Sequence, residues 1–153
     1  MNQRKSFLVF IAGICAAALS LAVHAEEHVI TAAGIKYRPM FTYIAPGDTV
    51  IWQNLVGHNV ETVDGMVPDG QEKILSDMGQ RVSHTFNDVG IVIFKCTPHW
   101  TSRMGGAIVI GKPENAGEII DTYLAAIEED RSALPAKGIL KKLRRDMESN
   151  DMI

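Results

Sequence analysis

Apolar and polar positions follow one another in short bursts up to about residue 111, and the period then changes. In "VSHTF" Val82, His84 and Phe86 alternate with Ser83 and Thr85, the period of a strand with one buried face. "HVITAA" reads the same way, and "AGIKYRPMFTYIAPGDTVIWQN" holds two β-rich runs on either side of Pro46-Gly47-Asp48, a turn signal. "GIVIFK" and "GGAIVIG" are unbroken apolar runs bounded by glycine. Several short strands with this punctuation predict an all-β sandwich over residues 26–111. "VDGMVPDGQEKILSDMGQ" reads as a long polar connection between its sheets. Beyond Gly111, Ile119, Ile120, Tyr123, Leu124 and Ile127 fall at helical spacing behind Pro113. After Pro135 a second stripe follows, Ile139, Leu140, Leu143 and Met147, with a basic "KKLRR" opposite. Residues 112–153 are therefore expected to form two amphipathic helices folded back on the sandwich. The basic face is short and flanked by acids, so it reads as a solvated face rather than a membrane surface.

The N-terminus changes the picture. "MNQRK", the uncharged "SFLVFIAGICAAALSLAV" and "VHA" before "EEH" have the charged, apolar and small-residue parts of a secretory signal peptide, residues 1–25. A membrane anchor is the competing reading, because the run approaches the roughly 20 residues of a span. Cleavage leaves no span and a mature chain exported to the periplasm. Loss of Arg4 and Lys5 leaves thirteen basic residues against eighteen acidic ones, a net charge of −5. With no basic stripe of the required size, nucleic acid is not an expected partner.

Cys15 departs with the signal peptide, so Cys96 is the sole cysteine of the mature chain. An internal disulfide, a c-type haem attachment and a four-cysteine cluster are thereby excluded. A lone thiol in an oxidising compartment is buried, reactive, or held by a metal. In "FKCTPHWTSRMGG" it stands three residues before His99 and eight before Met104. Upstream, "GHNVE" places His58 just past the strand "DTVIWQN". Taken singly, Cys96 reads as a buried thiol, His58 as a polar strand end and Met104 as core filler. Together, two imidazoles, a thiolate and a thioether match a blue-copper electron-transfer site, with His58, Cys96, His99 and Met104 as the ligand set for one copper ion. Three readings compete: an exported copper carrier that delivers the metal, a Cys96–His99 nucleophile–base pair in a hydrolase, and structural zinc. The second leaves His58 and Met104 unused, and thioether suits zinc poorly.

"GHNVETVDGMVPDG" and "KCTPHW…M" closely resemble the pseudoazurin family of periplasmic blue-copper proteins, and "APGDTVIWQN" fits the family's strand before its first histidine. The resemblance runs over nearly the whole mature chain. It implies a mainly β fold, the eight-stranded cupredoxin Greek-key sandwich with two C-terminal α-helices, and copper near one end. It implies a monomeric electron carrier rather than an enzyme. Its partners would be redox proteins, such as copper nitrite reductase, nitrous oxide reductase or a cytochrome. It further implies that Asn59 donates its N–H to the Cys96 sulfur and ties the two ligand loops through Thr97. Electrons would pass at the edge of His99 within an apolar patch, for which Ile35, Met66, Pro98 and Trp100 are candidates, rimmed by Lys36, Arg38 and Arg103. "WTSR" stands where the family carries a tyrosine and a Gly/Met-rich run, and the acidic balance replaces a ring of lysines. Pro98 has no N–H to offer the sulfur. Pro98→Ala is therefore expected to raise the reduction potential, by on the order of 40 mV for one added hydrogen bond. Cyclic voltammetry of both proteins checks it, and an equal or lower potential contradicts it.

Overall fold

The computed structural model describes residues 24–153. The expected signal peptide, residues 1–25, lies outside them apart from His24 and Ala25. Eight strands form two four-stranded sheets. The first orders β2 (Tyr37–Arg38), β1 (Glu27–Ala32), β4 (Thr49–Gln53) and β6 (Val82–Thr85). The second orders β3 (Phe41–Ile44), β8 (Gly105–Ile110), β7 (Gly90–Lys95) and β5 (Glu61–Thr62). Helices α1 (Ala116–Glu129) and α2 (Ala136–Ser149) follow. The two-sheet sandwich with C-terminal helices is thus as the residue pattern predicts.

The predicted turn at Pro46-Gly47-Asp48 joins β3 to β4. Asp48 is almost fully buried, and its carboxylate accepts from the Glu26 and Ala45 N–H groups and meets His28 Nε2 at 2.9 Å. These bonds, led by that from Glu26, hold the carboxyl below its ordinary pKa and fasten the start of β1 to the turn before β4. The two strands then run parallel from Glu27↔Thr49 to Thr31↔Gln53.

Strands β7 and β8 read as continuous apolar runs because both of their faces are covered. Val92 and Phe94 of β7, with Ile108 and Ile110 of β8, point between the sheets and meet Ile30, Trp52 and Phe86. Trp52 stacks edge-on against Phe86 and Phe94, at 6.3 and 5.4 Å between ring centroids. The alternate residues Ile91, Ile93, Ala107 and Val109 point outward and join a second core with Ile120, Tyr123 and Ile127 of α1 and Ile139, Leu140, Leu143 and Met147 of α2. The predicted helical stripes are those buried faces, with Ile119 and Leu124 half-buried at their margin. Ion pairs between the helices, Lys137–Glu128 and Arg144–Asp121, lie at the surface and add little beside this apolar burial.

Residues 63–80 differ from the polar connection expected. Val63, Met66 and Ile74 are buried within it, and Leu75 bridges to Glu61. Its charged residues outnumber these anchors, so the composition hides them. β8 opens on two glycines for a steric reason. A Cβ on Gly106 would lie 2.3 Å from the Met40 carbonyl oxygen and 2.7 Å from Phe94 Cζ. Met40 approaches that closely because its carbonyl accepts from the Ala107 N–H at 2.9 Å. Gly106→Ala is expected to cost about 3 kcal/mol, measured by urea unfolding, and an unchanged midpoint would contradict this close approach.

Candidate metal centre

The antiparallel pairing of β7 with β8 runs from Gly90↔Ile110 to Lys95↔Gly105. The next residues, Cys96 and Met104, therefore face each other across the hairpin, and the Cys96 N–H donates to the Met104 carbonyl at 2.9 Å. Strand alternation carries both toward the inter-sheet core, where each is fully buried. Between them, residues Thr97–Ser102 coil into a 3₁₀ turn with Pro98 in its first turn, where a missing N–H costs nothing and the fixed φ helps. His99 N–H donates to the Cys96 carbonyl at 3.2 Å, and the His99 carbonyl accepts from the Met104 N–H at 3.2 Å. Arg103, at φ 62°, reverses the chain back into β8, a left-handed conformation that a residue with a Cβ adopts only when its surroundings demand it.

His58 arrives from the other sheet. The chain leaves β4 through a turn closed by His58 N–H to the Leu55 carbonyl at 2.8 Å, and the His58 carbonyl accepts from the Gly79 N–H. Its Nδ1 then stands 3.2 Å from His99 Nδ1 and 3.6 Å from Cys96 Sγ, while His99 Nδ1 and Cys96 Sγ are 3.4 Å apart. A point equidistant from the three atoms lies about 2.0 Å from each, close to the usual length of a transition-metal bond to imidazole. His58, Cys96 and His99 form the one group of three or more metal-ligating side chains of these types among the described residues. Burial of its ring, and then the neighbouring His99, keep the pKa of His58 below the ordinary imidazole value, which favours the neutral ring that ligates a metal. This donor set fits a soft, late transition metal.

Residues 24–111 match the family model described as copper binding proteins, plastocyanin/azurin family. The chain belongs to that family. Over 118 residues it is 30% identical to the pseudoazurin of Paracoccus pantotrophus, covering 69% of this chain and 79% of that one. It is 36% identical over 76 residues to the pseudoazurin of Methylorubrum extorquens, covering 49% of this chain and about half, 51%, of that relative's length. Among solved structures, pseudoazurin from Methylobacterium extorquens AM1 superposes with a TM-score of 0.57 at 30% identity, covering 61% of this chain and 81% of that one. Copper is the metal of this plastocyanin/azurin family, and the side chains gathered here suit it.

A chain of hydrogen bonds ties together the loops that carry His58 and Cys96 in this copper-binding family member. The Asn59 side chain receives the Thr97 N–H at 2.8 Å and donates to Thr97 Oγ1 at 2.9 Å, so the tie between the ligand loops exists in both directions. The backbone bond from Asn59 N–H to Cys96 Sγ is not among the hydrogen bonds of the described residues. Thr97 Oγ1 in turn donates to Glu61, which pairs with Lys95 at 3.3 Å. Tyr37, fully buried, donates its phenol hydrogen to the Asn59 carbonyl. Burial, and after it the adjacent Cys96, push that phenol well above its ordinary pKa, so it remains a neutral donor.

Tyr37 and Glu61 escape the sequence reading. Glu61 stands within the quoted "GHNVE", and its role follows only from the β5–β7 register that sets it opposite Lys95. Two candidates for the apolar patch are corrected. Met66 is 1% exposed and Trp100 9%, because each enters the core beneath the helices. Ile35 and Pro98 are exposed as expected, as are Lys36, Arg38 and Arg103. Val56, at the turn before His58, is 83% exposed and was not among the candidates. Asn59→Ala removes both bonds between the ligand loops. It is expected to cost about 2 kcal/mol in the metal-free protein, with Asn59→Asp costing less because it still accepts from Thr97; equal midpoints in urea for all three proteins would contradict the tie.

Proposed function

We propose that this chain is an exported electron carrier in which one copper ion is held by His58 Nδ1, Cys96 Sγ, His99 Nδ1 and the thioether of Met104. The observation that carries the reading is the near-equilateral triangle of two imidazole nitrogens and one sulfur, with sides of 3.2, 3.4 and 3.6 Å. Copper bound there supplies a one-electron couple between Cu(II) and Cu(I). Cys96 contributes a thiolate charge at a fully buried position, and Met104, equally buried, a weak neutral donor from across the hairpin. Neither opens to water. His58 and His99 are half-buried, so the shell is closed on the core side and thin on the other. Asn59, Thr97 and Tyr37 bind the loops on which the ligands sit. The ligands accordingly shift little when the charge changes, which is what rapid electron exchange needs.

With Nδ1 of His99 turned toward Cys96 and His58, the opposite edge of its ring is the route by which electrons enter and leave. Exposed apolar side chains of the same chain, Ile35, Val56 and Pro98, form a dry surface for brief contact, and Lys36, Arg38 and Arg103 provide a small basic rim that orients an acidic face of a partner. The partner class is a protein redox centre, for which copper nitrite reductase, nitrous oxide reductase or a cytochrome are the candidates, and the relatives compared above are pseudoazurins. The compartment is the periplasm, reached through cleavage after Ala25, and the carrier works as a monomer. Among the described residues no helix is long and apolar enough to cross a membrane. In this reading the sandwich of residues 26–111 carries the centre and residues 112–153 form a helical extension of it.

The deciding experiment is the visible absorption and EPR spectrum of the mature protein after Cu(II) loading, beside Cys96→Ser. An intense thiolate-to-copper band with a narrow hyperfine splitting, absent from Cys96→Ser, is expected. A pale Cu(II) spectrum that survives the substitution would overturn the electron-carrier reading and favour a carrier that delivers the metal.

A further inference from the structure

Trp100 stands apart in the ligand loop. Its neighbours Thr97, Pro98, Thr101, Ser102 and Arg103 are all exposed, as befits a surface turn. Trp100 instead enters the outer core with Ala133, Ala136, Ile139 and Leu140. Its indole Nε1–H donates to the Ser132 carbonyl at 3.0 Å. That acceptor is itself fixed. The Asp130 carboxylate receives both the Ser132 N–H and the Ser132 hydroxyl, each at 2.9 Å, and so sets the short turn Arg131–Ala133 between the helices.

Two more contacts bring the extension against the loop. A Cβ on Gly105 would lie 2.9 Å from Ile139 Cδ1 and 3.0 Å from Trp100 Cζ3, so α2, the indole and the first residue of β8 meet without a gap. The stem of Arg103 passes over α2, with its Cδ 3.9 Å from where a Cβ on Gly138 would stand. The main chain returns the constraint to the ligands. The Trp100 carbonyl accepts from the Arg103 N–H at 2.8 Å, and Met104 N–H donates to the His99 carbonyl. Asn59 grips the loop near its start at Thr97, whereas among the described residues the side-chain hydrogen bond made by the stretch between His99 and Met104 goes to the helical extension, at Ser132.

We infer that the C-terminal helices are a working part of the metal centre: through Trp100 they hold the segment from His99 to Met104 in ligating shape before the metal arrives. Trp100 acts in this as a positioning residue. The inference rests on the ligand set proposed above, and one arm of its test requires no copper. The proteins to compare are the full-length wild type, Trp100→Phe, which removes the N–H donor but keeps an aromatic ring, and Ile139→Ala, which opens the same contact from the α2 side. Met147→Ala is the control. It is buried in the same core but lies eight residues further along α2, about 12 Å down the helix axis.

The first readout is amide hydrogen exchange at Arg103 and Met104 in the metal-free proteins. The second is the rate at which the Cu(II) proteins lose copper to a chelator, with their EPR hyperfine splitting. Trp100→Phe is expected to speed both exchange and copper loss by about five-fold and to alter the splitting. Ile139→Ala should act in the same direction, and Met147→Ala should lower the unfolding temperature while leaving loop exchange, copper loss and splitting at wild-type values. Loop exchange unchanged in Trp100→Phe, or changed equally by Met147→Ala, would overturn the inference. If Trp100→Phe fails to fold, Ile139→Ala against Met147→Ala decides. A wild type with no blue spectrum would refute the copper reading, and the exchange arm would still decide whether the helices hold the loop.

Discussion

The antiparallel register of β7 on β8 is the constraint from which the centre is built. Once Lys95 pairs with Gly105, the loop between them has a set length, and its first and last residues, Cys96 and Met104, must face each other. A slip of β8 by one residue would turn Met104 to the opposite face of the sheet, away from Cys96. The register is secured by the two-sided burial of these strands, since every apolar residue of β7 and β8 has a matching surface either between the sheets or under the helices. The glycines at the start of β8 belong to the same constraint. They let the Met40 carbonyl, the Phe94 ring, Ile139 and Trp100 approach a backbone that has no room for a side chain.

His58 comes from the opposite sheet, so the centre also depends on how the two sheets meet. Trp52, three bonded pairs along β4 from its start and a few residues before His58, stacks on Phe94, two residues before Cys96. The aromatic contact in the core thus fixes the separation of the two strands that end in ligands. Asn59 and Tyr37 then fix their ends. Coarse placement comes from apolar burial, which has no direction of its own, and fine placement comes from hydrogen bonds, which do.

The cluster of His58, Cys96 and His99, with Met104 proposed beside it, was legible in the sequence because Cys96, His99 and Met104 sit within nine residues and the spacing of a tight loop between strands survives without knowledge of the fold. His58 was legible from the strand that precedes it. The sandwich was legible for a similar reason: period-2 alternation and glycine punctuation are local signals. What surrounds the ligands was not. Tyr37 reaches Asn59, Glu61 reaches Thr97, and Ser132 receives Trp100 across separations of 22, 36 and 32 residues, so each depends on sheet order rather than on neighbouring letters. The same limit explains Met66 and Trp100. Both look like surface residues in polar company, and only the position of the helices makes a core for them to enter.

The three donor atoms pose a problem that the fold alone does not solve. A neutral ring's Nδ1 either donates or accepts and cannot do both, so hydrogen bonds among the three atoms can satisfy at most two sides of the triangle, whose nitrogens stand 3.2 Å apart. Side chains free to move would turn apart. Here they are held, on one side by Asn59 and on the other by the hairpin and the indole, so the mismatch persists as a feature of the folded state. A single cation at the centre satisfies all three atoms at once. The arrangement therefore presents a preference for a metal before any metal is bound, and the softness of the sulfur donors narrows that preference toward copper.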